Sequence, residues 1–149
     1  MRRRQKYIVI GFLAFLFLGI SALLARGLTG SGTERSKVLD VVEAQARGDA
    51  DAVLALLPAC RVHPACAQVT RERVAELQRP GDVQILTYDP SVRIALTRQT
   101  GTGRVAWRAG SARPVVQCVR VRRDGPLTGG DVELLSLSAP IGGEESCPS

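Results

Sequence analysis

Setting aside the first thirty of 149 residues leaves about 119, enough for one compact domain and too few for two. The formal charge of +6 gathers at the start: Arg2, Arg3, Arg4, Lys6 and Arg26 hold five of the twenty basic residues, and all fourteen acidic residues follow residue 30. The rest carries fifteen basic against fourteen acidic groups, a net +1, which excludes a nucleic-acid footprint and leaves no nucleic-acid partner to expect.

Residues 1–6, MRRRQK, form a basic tail, and Tyr7 to Ala25 then run for nineteen positions without a charge. As a helix this run spans roughly 28 Å, close to the hydrocarbon thickness of a bilayer. The basic tail in front predicts a cytoplasmic N-terminus, so that everything after Arg26 lies outside the cytoplasm. The run is longer than a signal-peptide core, and Leu23-Leu24-Ala25 is a poor cleavage junction, so an uncleaved single-pass signal-anchor is expected, with cleaved export as the alternative. Its partner is the lipid bilayer, through residues 7–25. Gly11 and Gly19 are expected to be tolerated in the span without marking a dimer contact.

Residues 26–33, built around GLTGSGT, have the composition of a linker. From Glu34 to Arg47, Val38, Val41, Val42 and Gln45/Ala46 trace one helical face, and Gly48 stands where a helix ends. Asp49 is placed to cap a second helix over residues 50–57, closed by Pro58. CRVHPAC, Cys60 to Cys66, reads as a tight loop, and a third helix is predicted over residues 67–78 with Val69, Val74 and Leu77 inward.

From Val83 the period changes from helical to alternating. Strands are predicted at 83–88, 92–99, 104–109, 114–123 and 131–138, with Thr100-Gly101-Thr102-Gly103 and Asp124 to Gly130 as turns. Short loops between successive strands imply an antiparallel meander with the helices on one face. The tail, residues 139–149, is polar and Gly/Pro-rich, with Cys147 its one tether.

The string VVEAQARGDADAVLALLP, a helix, a Gly-Asp break and a short Leu-rich helix ahead of the strands, resembles the opening of NTF2-like (SnoaL-like, cystatin-like) domains. The resemblance covers residues 34–138 and implies an α+β domain in which three helices pack on a curved antiparallel sheet of about five strands. Anchored domains of this layout resemble accessory subunits of envelope transport and secretion complexes, which implies a non-catalytic binding or assembly module and an envelope protein complex as partner. The alternative it implies is a small-molecule pocket protein or a SnoaL-like enzyme.

The four cysteines, Cys60, Cys66, Cys118 and Cys147, are expected to form disulfides in an oxidising compartment. Three pairings are possible, and Cys60–Cys66 with Cys118–Cys147 is preferred: the first closes a small loop, the second staples the tail to the sheet. Cys60, His63 and Cys66 also form a C-x₂-H-x₂-C pattern, but a metal would need a fourth ligand and reduced thiols, so no metal or cofactor is expected. His63, the lone histidine, is a candidate pocket-mouth residue, and Asp82 and Asp89 fall in turns, where Asp is expected for structural reasons. No acid/base pair, nucleophile elbow or phosphate-binding loop emerges, so no catalytic residue is assigned. Arg93, Arg104, Arg108, Arg120 and Arg122 recur on the strands and predict a solvated sheet face with cross-strand ion pairs, for instance to Glu133, with a basic face for an anionic headgroup, polymer or partner as the alternative. Trp107 shares the phase of Val105 and is expected in the core.

Overall fold

The computed structural model describes residues 2–91 and 96–148. It is an α+β chain: helices α1 (Arg2–Arg47), α2 (Ala50–Leu56), α3 (Pro58–Arg61) and α4 (Pro64–Leu77) precede strands β1 (Val83–Asp89), β2 (Gln99–Ala109), β3 (Val115–Arg123) and β4 (Val132–Leu137). The strands form one antiparallel sheet in the order β1-β2-β3-β4.

Near the N-terminus, Gln5–Ala25 is long and apolar enough to cross a membrane, and none of it is buried inside the protein. The expected linker at 26–33 is instead continuous helix. Each glycine there costs about 1 kcal/mol relative to alanine, but helix nucleated on both sides needs only propagation to join up. Beyond it α1 turns amphipathic: Glu34, Val38, Val41, Val42 and Gln45 are buried on one stripe. The helix ends in a Schellman arrangement, with Gly48 N–H donating to the Gln45 carbonyl and Asp49 N–H to that of Ala44, both at 3.0 Å. Gly48 stands at φ +78°, the left-handed conformation this ending requires. The Asp49 carboxylate then accepts from Ala52 N–H at 2.9 Å and starts α2.

Pro58 opens the one-turn helix α3 rather than simply closing α2, because its fixed φ suits a first helical turn. Pro64 starts α4 in the same way, three residues earlier than expected. The inward phase of α4 becomes Ala67, Thr70, Val74 and Leu77, so Val69 is exposed, contrary to its predicted inward position. Thr70 is accommodated because its hydroxyl lies 3.3 Å from Cys60 Sγ.

The largest departure lies in the expected second and third strands. Residues 92–95 of the strand predicted at 92–99 lie outside the described residues, 96–98 are irregular, and residues 99–109 form one long strand. The 100–103 stretch is therefore not a hairpin loop; Gly101 pairs with Val121 and Gly103 with Val119 inside the ladder. A Cβ on Gly103 would sit 2.9 Å from the Asp89 carbonyl oxygen and 3.2 Å from Ser91 N, so glycine here admits the end of β1 rather than a turn. Four strands are thus described where about five were expected. Asp89 ends β1 instead of lying in the turn.

Two register shifts shape the inward face. One between Ile85 and Thr87 lets Ile85 and Tyr88 both pack against the core, and one opposite Arg120/Val121 does the same for Leu134 and Leu137. The core forms where these residues, with Val105, Trp107, Val119 and Val121, meet the buried stripes of α1, α2 and α4. Side chains also reach the ends of β4: Lys37 donates to the Val132 carbonyl, and Arg73 to that of Leu137 at 2.6 Å. The Arg73 guanidinium is held below its usual pKa by burial, which outweighs the nearby Glu76 carboxylate.

Candidate functional site

The core between helices and sheet holds a group of buried polar side chains centred on Trp107 and Gln117. Trp107 is fully buried, and its indole N–H donates to Gln117 Oε1 at 2.8 Å. The same oxygen accepts from Gln45 Nε2 at 3.0 Å, and Gln117 Nε2 donates to the Ser138 carbonyl at 2.9 Å. Helix α1, strands β2 and β3 and the exit of β4 are thereby joined through one amide. Sequence reasoning placed Trp107 in the core but missed Gln117, although it sits in the phase of Val115, Val119 and Val121.

A second buried polar group lies at the end of the sheet nearest the apolar part of α1. Glu34 is 0 % exposed and forms an ion pair with Arg123, whose side chain is 5 % exposed. Tyr88 donates its hydroxyl to Glu34 Oε1, and Ser91 N–H donates to the same oxygen at 3.3 Å. Burial, reinforced by this bond to Glu34, pushes the Tyr88 phenol well above its ordinary pKa, so it stays a donor. This cluster fixes the helix leaving the apolar segment to β1 and β3.

The outer sheet face carries the arginines. Arg122 pairs with Glu133 directly across the ladder, as expected, Arg108 reaches Gln84 at 3.4 Å, and Arg104 donates to the Gly143 carbonyl. Arg93 lies outside the described residues. The expected loose tail is held more firmly than one cysteine implies, because Ile141 N–H also donates to the Val116 carbonyl at 2.8 Å. Thr102, Cys118, Arg120, Ser136, Ser138 and Pro148 line a cleft of about 340 Å³ there, roofed by the tail.

Both disulfides are present: Cys60 bonds Cys66 with Cα atoms 5.2 Å apart, and Cys118 bonds Cys147 at 5.6 Å. Chain-entropy scaling gives about 2 kcal/mol for the six-residue separation and about 3.5 kcal/mol for the 29-residue one. Thiol labelling of the unfolded chain should find no reactive cysteine before reduction and four after it. Replacing the Cys118–Cys147 pair by serine should lower stability more than replacing Cys60–Cys66, as read by chemical unfolding.

His63 is exposed at the start of α4 and makes no capping bond there; it does not face the interior. Asp82 and Asp89 are also exposed. Among the described residues, no three His, Cys, Asp or Glu side chains gather to hold a metal ion. The structure thus brings the four cysteines together in pairs but does not unite His63 with either aspartate. It defines an α+β domain, bonded twice by disulfides, on a helix with one apolar segment. No protein-family model matches the chain, and neither does any curated protein or solved structure.

Proposed function

We propose that this chain is a non-catalytic, membrane-anchored binding or assembly module of NTF2-like type, its N-terminus cytoplasmic and its domain on the extracytoplasmic side of a bacterial cell envelope. The observation that carries the reading is the buried polar core: Trp107, Gln45 and Gln117 are shut off from solvent and hydrogen-bonded to one another, which favours contact at the surface. Two disulfides support an oxidising compartment, and the basic residues ahead of Gln5–Ala25 support the orientation. The continuous helix through 26–33 supports a domain held at a set height above the bilayer rather than on a loose tether.

Affinity purification of the full chain from membranes, in several detergents, tests this reading. A defined envelope complex should co-purify. Recovery of the chain alone in every detergent would sink the assembly role, and recovery in the soluble fraction would sink the anchor.

A further inference from the structure

α1 and β3 run antiparallel across the core: Gln45 meets Gln117, and eleven residues earlier Glu34 meets Arg123. Moving along β3 from Gln117 to Arg123 therefore approaches the apolar segment of α1, and the chain continues that way into the turn before β4. The turn is built rather than loose. Gly125 N–H donates to the Thr97 carbonyl at 3.1 Å, Leu127 N–H to that of Leu96 at 3.3 Å, and Asp124 N–H to that of Asp131 at 2.7 Å. At its tip two leucines stand in solvent, Leu96 at 61 % and Leu127 at 65 % exposure, on neighbouring backbones. Beside them Arg98 Nε donates to Asp124 Oδ1 at 2.6 Å, which neutralises both charges at the tip.

Height decides what covers these leucines. From Glu34 back to Ala25, where the apolar segment ends, is nine residues of continuous helix, about 13 Å. From Arg123 forward, Asp124 and Gly125 carry the chain about 7 Å further before it turns through residues 126–129, where Leu127 sits. The tip thus comes within several Å of the level at which α1 leaves its apolar stretch, the depth of the headgroup layer. We infer that Leu96 and Leu127 form a lipid-contacting wedge that enters the interfacial layer of the bilayer crossed by α1, giving the domain a second foothold. This rests on the anchored reading above. The continuity of α1 between span and domain selects a lipid surface over a protein partner, because that same helix brings the tip to the membrane.

The test uses the full chain in phosphatidylcholine vesicles whose acyl chains carry bromine, which quenches tryptophan on contact. Buried Trp107 supplies an unquenched background. Leu127→Trp, and independently Leu96→Trp, should lose part of the added emission, less than Leu16→Trp loses, as expected for shallow insertion at the headgroup boundary. Leu16→Trp reports the span, and Ser111→Trp reports the exposed turn at the opposite end of the sheet. Quenching at positions 16, 96 and 127 but not at 111 supports the wedge. Quenching at 16 alone overturns the wedge and leaves the anchor standing. No quenching at 16 overturns both, and equal quenching at 111 and 127 overturns the wedge as a specific contact.

Discussion

Replacing Arg123 with alanine is expected to cost about 3–5 kcal/mol of folding stability, because its ion pair with Glu34 is buried. The substitution strands the fully buried Glu34 carboxylate without its guanidinium partner, leaving the Tyr88 hydroxyl and the Ser91 amide as donors. Against a total of 5–15 kcal/mol for a domain of this size, that is a large share. Urea unfolding of the detergent-solubilised chain measures it. Replacing both partners, Glu34→Leu with Arg123→Met, should recover most of the loss, because the stranded charge rather than the missing bond dominates the cost. Loss below 1 kcal/mol in Arg123→Ala would mean that Glu34 is solvated and the clamp is not formed.

Tyr88 gives the same cluster a pH signature. Its phenol is raised above the ordinary value near 10, so the protonated form is favoured in the folded state. The stability it contributes is complete below that ordinary value and is lost as pH climbs above it. Alkaline unfolding should therefore set in above about pH 10, and Tyr88→Phe should flatten that limb.

How much of this was legible beforehand depends on which physical signal each residue carries. The alternation Val115, Gln117, Val119, Val121, Arg123 on β3 is readable from sequence, and polar residues in an apolar phase mark buried polar partners. Glu34, Val38, Val41 and Gln45 repeat the message at helical spacing on α1. What sequence could not supply was that Glu34 faces Arg123 and Gln45 faces Gln117, since each pair depends on the crossing of α1 over the sheet. The cysteine pairing in the structure coincides with the one preferred from loop closure and tail reach. Gly101 and Gly103 misled because glycine signals a turn as readily as a place in a strand, and at Gly103 the close approach of Asp89 is what calls for it. The glycines of 26–33 misled differently: local propensity favours a break, while helix on both sides carries the chain through.

Trp107→Ala is expected to cost about 3–5 kcal/mol, from lost transfer free energy and from the cavity left in the interior. Trp107 packs with Val105, Val119 and the α1 stripe, and it supplies one of the two donors on Gln117 Oε1. Gln117→Leu isolates the polar part of the effect: it leaves the buried indole N–H without its acceptor and should cost about 1–3 kcal/mol. Both can be followed by chemical unfolding, the first by circular dichroism and the second by the emission shift of Trp107, the chain's single tryptophan. The size of the Trp107→Ala effect bears directly on function. A cost in the expected range means that the ring completes a packed interior, leaving no room for a substrate between helices and sheet. A cost under 1 kcal/mol would mean that the ring borders open space, and the case for a surface-acting module would give way to that for a ligand pocket.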